Sequence, residues 1–257
     1  LAAMVAGVDD PFALLDRPAT AQLVEHRSDG TVAFTHPLVH AAVYTELPAQ
    51  DRRALHLAAV EVTSGTASLE HRVRGATGPD PELVHDLADA ARGAEAAGHH
   101  ARAADHLEAA ARLAADAAER EELLLDALEC VHVAGDFARA EAMRRAVEAC
   151  APGPRRTCAL GLLAFAAGRL AEADDLLGAT VADGAPSERW RSRAITTLAL
   201  VRLQRGNWDG ALDAAAAALA GGGTWDRSVA QFAAIFALAE TGRGDEAGKL
   251  LDGASPG

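Results

Sequence analysis

Three histidines, an arginine pair and two prolines lie within one short stretch, FTHPLVHAAVYTELPAQDRRALH at 34–56. Histidine is the side chain that binds metals most often, and His36 and His40 are four residues apart, a spacing that places both on one face of a helix. A zinc site needs three or four converging ligands, however, and no third ligand follows at metal-binding spacing. Because Pro37 places His36 at the helix boundary, we expect His36 to cap or pack, and we expect no metal site here.

The same limit applies to a second group of histidines, His99, His100 and His106, which have no converging set of ligands in the sequence. We predict that they occupy turn and surface positions.

Motifs of enzymes and nucleotide-binding proteins are absent from the sequence. It contains no G-x-S-x-G, no H-E-x-x-H, no paired C-x-x-C and no G-x-x-x-x-G-K-[ST]. The glycines at 221–223 are not followed by Lys and Ser or Thr, so they predict a loop between helices. Cys130, Cys150 and Cys158 have apolar neighbours and are expected to fill the core. We therefore expect no enzyme, and no cofactor or ATP bound to this chain.

Composition restricts the partners and the compartment. The formal net charge is −13 and the pI is about 5.2, which opposes broad attraction to nucleic acid or to an anionic membrane. No apolar run reaches the roughly 20 residues of a membrane span. Three irregularly spaced cysteines favour a reducing cytoplasm. Leu1 is not an initiator methionine, so we expect a fragment of a longer protein.

A repeat organises most of the chain. Five segments begin with Gly and carry Ala five residues later, with turn glycines 37, 33, 38 and 36 residues apart. They are GHHARA at 98–103, GDFARA at 135–140, GRLAEA at 168–173, GNWDGA at 206–211 and GRGDEA at 242–247. Gly suits a left-handed turn between two helices, and Ala allows the second helix to approach the first closely. Each unit is therefore predicted to be an antiparallel helix pair that buries its apolar face by stacking.

These units resemble the tetratricopeptide repeat, whose period is about 34 residues. Leu160-Gly161 falls where that family has its close-packing Leu-Gly pair, and Pro152 falls where its helix-ending proline follows the second unit. The family's signature aromatic residues are mostly Ala in this chain. The resemblance implies a mainly α fold, a right-handed α-α superhelix of tetratricopeptide-like helix pairs.

Residues 1–47 have a different pattern. LVEHR at 23–27 and TVAFT at 31–35 are strand-like, and the Ser28-Asp29-Gly30 segment between them is a hairpin signal. Helical sequence precedes them, and Pro37 and Pro48 each begin a further predicted helix. Helices, a β-hairpin and a helix occur in winged-helix order. A recognition helix at 11–24 would offer only Arg17 and Gln22, so we expect no direct nucleic-acid binding.

The stretch at 34–56 resembles the linker of large LuxR-type ATP-binding transcriptional regulators, which belong to the signal-transduction ATPase class. The matching residues are Phe34, His36, Pro37, Leu38, Val39, Ala42, Val43, Tyr44, Leu47, Pro48, Arg52, Arg53, Leu55 and His56. In that class an ATPase domain precedes the winged helix and the repeats, and a helix-turn-helix follows them. The resemblance implies the middle region of such a regulator: a winged-helix-like element at 1–47, connecting helices at 48–80 and repeats at 81–257. ATP would then bind only to the separate ATPase domain.

A binding groove can be placed by counting back from each turn glycine, because the first helix of each pair lines the concave side of a tetratricopeptide array. Positions 13, 10, 6 and 3 before the glycine are predicted to line it. These are Glu122, Leu125, Glu129 and His132; Arg155, Cys158, Leu162 and Phe165; Arg193, Thr196, Leu200 and Leu203; and Val229, Phe232, Phe236 and Ala239. Some of them could instead pack between repeats, since groove and core faces adjoin on one helix. An anionic ligand could pair with Arg155 and Arg193.

The expected function is regulatory: the repeats would bind an inducer, a protein partner or the parent's own ATPase domain. The alternatives are a stand-alone tetratricopeptide adaptor and, from another class, a helical hydrolase or transferase.

Overall fold

A computed structural model of the chain describes residues 21–28, 32–184, 187–221 and 224–252. These residues form thirteen α-helices preceded by one two-stranded antiparallel hairpin, so the predicted mainly α fold with a small hairpin is confirmed. In chain order the elements are β1 Val24–His26, β2 Val32–Phe34, α1 Pro37–Glu46, α2 Ala49–Val60, α3 Gly65–Gly75, α4 Pro81–Ala96, α5 His100–Leu113, α6 Ala117–Val133, α7 Phe137–Ala149, α8 Pro154–Ala166, α9 Leu170–Ala182, α10 Glu188–Gln204, α11 Trp208–Gly221, α12 Thr224–Glu240 and α13 Gly244–Asp252. The right-handed sense of the array stays a prediction.

The hairpin pairs Val24 with Phe34 and His26 with Val32 in antiparallel register. The first strand is one residue shorter at each end than the predicted segment 23–27, and the second ends one residue before the predicted end at 35; residue 31 lies outside the described residues. The predicted Asp29-Gly30 turn, the helical sequence before residue 21 and part of the predicted glycine loop at 221–223 lie outside the described residues.

Pro37 and Pro48 begin helices as predicted. Pro37 is the first residue of α1, and the Nδ1 atom of His36 accepts a hydrogen bond from the Leu38 amide at 3.1 Å. His36 therefore caps the helix, which satisfies one of the amides that a helix start leaves without an intrahelical partner.

The arginine pair of the stretch at 34–56 joins three helices. The guanidinium of Arg52 donates to the Leu47 carbonyl at 2.8 Å and also to two further carbonyls at the end of α1, both at 3.2 Å. Nε of Arg53 donates to the Gly75 carbonyl at the end of α3, at 2.8 Å. Both arginines thus satisfy carbonyl groups that helix ends leave open.

Aromatic and imidazole groups continue this joint. The Tyr44 hydroxyl lies 2.8 Å from Nε2 of His56, and Nδ1 of His56 lies 2.9 Å from Nδ1 of His71. The chain of contacts ties α1 to α2 and α2 to α3. The stretch that first suggested metal chemistry therefore holds helices together.

Two compact units make up the chain. The first extends to Leu87 and includes Leu113–Ala115, and the second consists of Ala88–Arg112 and the chain from Asp116 onwards. The predicted start of the repeats at residue 81 is also the first residue of α4, and the predicted division after residue 47 falls between α1 and α2.

All five predicted turn glycines adopt the left-handed conformation. Their φ angles are 77° at Gly98, 74° at Gly135, 71° at Gly168, 72° at Gly206 and 74° at Gly242. At each turn the glycine amide donates to the carbonyl three residues back and the next amide donates to the carbonyl five residues back, as in Gly168 to Phe165 at 2.9 Å and Arg169 to Ala164 at 2.8 Å. This is the Schellman pattern, which ends one helix and allows the next to begin two residues after the glycine.

The alanine five residues after each glycine is buried in every unit. The exposed fraction is between 0% and 6% at Ala103, Ala140, Ala173, Ala211 and Ala247. The predicted close approach at Gly161 is also present, because a Cβ atom there would lie 2.7 Å from Cδ2 of Leu177. Small side chains therefore set the distance between the two helices of a pair.

The substitution Ala173→Leu is expected to lower the free energy of unfolding by about 1–3 kcal/mol, because α8 and α9 leave no room for three more carbon atoms at this fully buried position. Ala171, on the exposed side of the same helix, is the matched control, and Ala171→Leu should change stability by less than about 0.5 kcal/mol. Urea denaturation of the three proteins measures the difference. Equal loss in both variants would contradict the predicted role of the alanine.

Candidate functional site

The predicted groove residues are mostly covered. Eight of them are buried: Leu125, Glu129, His132, Cys158, Leu162, Arg193, Thr196 and Leu203. Four are partly buried, namely Arg155, Phe165, Leu200 and Val229, and four are exposed, namely Glu122, Phe232, Phe236 and Ala239. The first helices pack on one another in the order α6, α8, α10 and α12. The buried residues therefore lie between helices, which corrects the prediction that they line an open groove.

A buried ion network connects three of these first helices. Arg193 on α10 donates from Nε to Glu129 on α6 at 2.9 Å and from a terminal nitrogen to Asp226 on α12 at 2.7 Å. The three side chains are at most 9% exposed. Because an isolated buried charge is very costly, both acids depend on the Arg193 guanidinium that they share.

Arg189 extends the network towards solvent. It is 43% exposed and forms ion pairs with both Glu129 and Glu95 of α4, the latter at 2.7 Å. The Cys130 thiol donates to the same Glu95 carboxylate at 2.6 Å. These contacts join α4, α6 and α10, which are distant from one another in the sequence.

Arg155 on α8 belongs to a neighbouring cluster. Its guanidinium forms ion pairs with Asp126 and, at 3.6 Å, with Glu122, and both acids are on α6. Burial raises the pKa of the Asp126 carboxyl, and the adjacent Arg155 opposes that rise.

Arg155 and Arg193 each also stack on a tryptophan of the following helix pair. The Arg155 guanidinium carbon lies 5.4 Å from the ring centre of Trp190, and that of Arg193 lies 4.3 Å from the ring centre of Trp225. Such cation–π contacts stabilise neighbouring units against each other. Both arginines occur 13 residues before a turn glycine, and the tryptophans occur 16 and 17 residues before the next one. That spacing was available in the sequence and could have indicated the contact.

The arginines are thus already paired with carboxylates. The two clusters together contain five carboxylates, from Glu95, Glu122, Asp126, Glu129 and Asp226, and three guanidinium groups, from Arg155, Arg189 and Arg193. An anionic ligand would have to displace a carboxylate from an acid-rich cluster. The predicted pairing of an anionic ligand with Arg155 and Arg193 stays a prediction, and it would require one of these carboxylates to be displaced.

His132 is buried beside this network among aromatic rings. Its Nε2 atom lies 3.2 Å from the Thr197 hydroxyl, and its ring centre lies 5.8 Å from that of Phe165 and 6.3 Å from that of Trp225. Burial, assisted by the charge of Arg193, lowers the pKa of His132 to about 3. The imidazole is therefore neutral throughout the physiological range.

The cysteines are poor nucleophiles. All three are buried, and burial raises the pKa of the Cys158 thiol to about 12 and raises the pKa of Cys130 as well. Only the thiolate reacts readily, so these thiols are unreactive core groups. All three cysteines fill the core as predicted.

The second group of histidines divides. His99 is exposed and His100 partly buried at the first turn of the array, but His106 is 7% exposed, which corrects its predicted surface position. Among the described residues, no three His, Cys, Asp or Glu side chains are placed to hold a metal ion.

The fifth unit presents Phe232, Phe236 and Ala239 to solvent, whereas its fourth predicted groove residue, Val229, is partly buried. Phe232 is 57% exposed and Phe236 is 44% exposed, with ring centres 6.1 Å apart. Phe236 also lies 6.5 Å from the ring of Trp208. Three aromatic side chains thus form one surface, which we call the Phe232–Phe236 surface.

No helix within the described residues has the length and apolar character needed to cross a membrane. Comparison of the chain with known protein families, with curated proteins and with solved structures finds no match.

The substitution Arg193→Ala is expected to lower the free energy of unfolding by about 3–5 kcal/mol, because it leaves Glu129 and Asp226 buried without their shared cation. Arg191 is exposed on the same helix, and Arg191→Ala should cost less than about 0.5 kcal/mol. Chemical denaturation of both variants measures this. A small loss for Arg193→Ala would show that the network does not stabilise the array.

Stability should fall as the pH falls below about 6.5, the ordinary pKa of histidine. His132 has a lowered pKa in the folded chain, so the unfolded chain binds more protons below pH 6.5 and becomes favoured. Between pH 7 and pH 5 this one group should remove about 2 kcal/mol of stability. Thermal or urea unfolding at both pH values measures the loss. The His132→Gln variant should lose about 2 kcal/mol less than the wild type over this pH range, whereas the exposed-residue control His99→Gln should lose as much as the wild type.

Proposed function

We propose that this chain is a regulatory, partner-binding segment built from tetratricopeptide-like helix pairs, and that it acts by binding and not by catalysis. The observation that carries the proposal is the contrast between units at two register positions. Ten and six residues before the turn glycine, side chains are buried in the second and third units and buried or partly buried in the fourth, whereas Phe232 and Phe236 of the fifth are exposed. Exposed aromatic side chains that adjoin one another are typical of binding surfaces.

The interior of the array supports binding over chemistry. Arg193, Glu129 and Asp226 are engaged with one another, His132 is neutral, and the buried thiols are protonated. A general base or nucleophile needs access to a substrate and a pKa near the working pH. These groups satisfy neither requirement, so a helical hydrolase or transferase is the weaker hypothesis.

The more specific proposal is the middle region of a LuxR-type ATP-binding transcriptional regulator. Its support is the resemblance of the stretch at 34–56, whose Tyr44, Arg52, Arg53 and His56 all make contacts between helices. Those contacts suit a joint that connects a winged-helix element with an array of repeats. In such a regulator the chain would be cytoplasmic, ATP would bind to the separate ATPase domain, and the repeats would bind an inducer, a protein partner or that domain. A stand-alone tetratricopeptide adaptor is the alternative.

The proposal is tested with the open reading frame that encodes the chain. We expect a phosphate-binding G-x-x-x-x-G-K-[ST] segment before residue 1 and a basic helix-turn-helix module after residue 257. We also expect the purified ATP-binding domain from that frame to bind this chain in calorimetry, with a dissociation constant that differs between its ATP-bound and ADP-bound forms. A reading frame with neither module would refute the regulator assignment and favour the adaptor.

A further inference from the structure

The Phe232–Phe236 surface occupies the position at which a later helix covers the second and third units. The equivalent residues are Leu125 and Glu129 on α6 and Cys158 and Leu162 on α8, and none of these four is more than 5% exposed. A first helix of a later unit supplies contacts to them, as when Glu129 pairs with Arg193 and the Cys158 thiol lies 3.9 Å from the Trp190 carbonyl. The shape of this face therefore suits a helix.

The residue 13 positions before the turn glycine indicates that the helix which covers this surface does not belong to another helix pair like the preceding ones. In the second, third and fourth units that residue is charged and contacts a neighbouring first helix, as Glu122 and Arg155 contact each other and Arg193 contacts Asp226. In the fifth unit it is Val229, which can form neither an ion pair nor a cation–π contact. The face thus lacks the charged contact that joins preceding units.

The charges around the surface are acidic. Glu240 is exposed four residues after Phe236, which places it on the same side of α12, and exposed Asp209 follows Trp208. Within the described ranges no cation lies within ion-pair distance of either acid. Arg243, at the adjoining turn, donates to both oxygens of Glu246 at 2.8 and 2.7 Å and also attracts Asp209. The formal net charge of the chain, −13, has the same sign.

We propose that the Phe232–Phe236 surface binds the apolar face of a basic amphipathic helix from a partner protein. The phenylalanines and Trp208 would contact its apolar stripe, and Glu240 and Asp209 would attract Lys or Arg beside that stripe. Helices with apolar residues at positions i, i+3, i+4 and i+7 bind aromatic-lined surfaces in this way, and complementary charge accelerates and orients the encounter. The inference rests on the proposed partner-binding function and specifies the chemistry of the partner.

The probe is a synthetic peptide of about 18 residues with a leucine stripe flanked by lysines, long enough to form a helix. A matched peptide carries glutamates in place of the lysines. Fluorescence anisotropy with the whole chain at about 0.15 M salt measures binding of each. We expect the lysine peptide to bind at least about tenfold more tightly than the glutamate peptide.

Variants locate the binding site. Phe232→Ser with Phe236→Ser should weaken binding of the lysine peptide at least about tenfold, and Glu240→Gln should weaken it severalfold and reduce its salt dependence. Leu38→Ser is the matched control, because Leu38 is 72% exposed and belongs to the other unit. It should leave binding unchanged. If the double variant does not fold by circular dichroism, Phe232→Ala alone replaces it, since this side chain is the more exposed of the two.

Three outcomes overturn the inference. Equal binding of the lysine peptide to wild type and double variant would place its site elsewhere, and equal binding of both peptides would remove the requirement for a basic partner. A concentration-dependent dimer in light scattering that Phe232→Ser with Phe236→Ser abolishes would show that a second copy covers the surface. The proposed function is judged separately, by the reading frame and by binding of the ATP-binding domain, so the two can fail independently.

Discussion

The left-handed glycine turn is the constraint on which the second compact unit, with its repeated helix pairs, depends. Each of the five turns ends one helix with the same pair of hydrogen bonds and begins the next helix two residues later. The alanine five residues after the glycine then falls where the two helices approach each other, and it is buried in every unit. A residue with a Cβ atom is strained at φ near +74°, and a side chain larger than Ala would separate the helices. Constant turn geometry therefore gives every unit the same register, and a common register allows successive first helices to pack on one another.

Close packing of the first helices determines the electrostatics. Side chains that would face water on an isolated helix pair are covered by the next first helix, and three of them are charged: Glu129, Arg193 and Asp226. A buried charge persists only when hydrogen bonds and an opposite charge compensate its desolvation. The chain meets this requirement by bringing acids from α6 and α12 to one guanidinium on α10. Stacking of Trp225 on the same group adds a contact that is independent of ionic pairing. The outcome is an interior whose charges are engaged with one another.

The two ends of the described chain use polar groups differently. In the first compact unit, Arg52 and Arg53 donate hydrogen bonds to carbonyl oxygens at helix ends. These hydrogen bonds connect α1, α2 and α3. In the fifth helix pair, the positions that carry buried or charged residues in earlier units carry Phe232 and Phe236. Polar side chains thus fix helix ends in the first compact unit, and aromatic side chains are exposed in the fifth helix pair.

The sequence by itself determined the local architecture: the hairpin strands, helix starts at Pro37 and Pro48, the cap at His36, the five turns and their buried alanines. These features depend on residues a few positions apart, and the physical causes, φ preference, missing amide hydrogens and side-chain size, are properties of the residues themselves. The groove assignment was wrong for residues such as Cys158 and Thr196, because periodicity identifies one apolar stripe but does not say which neighbour covers it. Only the tertiary structure decided that α10 contacts Glu129 of α6 and Glu95 of α4, since those acids are 60 to 94 residues away from Arg189 and no local preference links them. Whether a helix face is buried depends on the helix that packs on it. The tertiary structure was therefore needed to distinguish the buried ion network from the exposed Phe232–Phe236 surface.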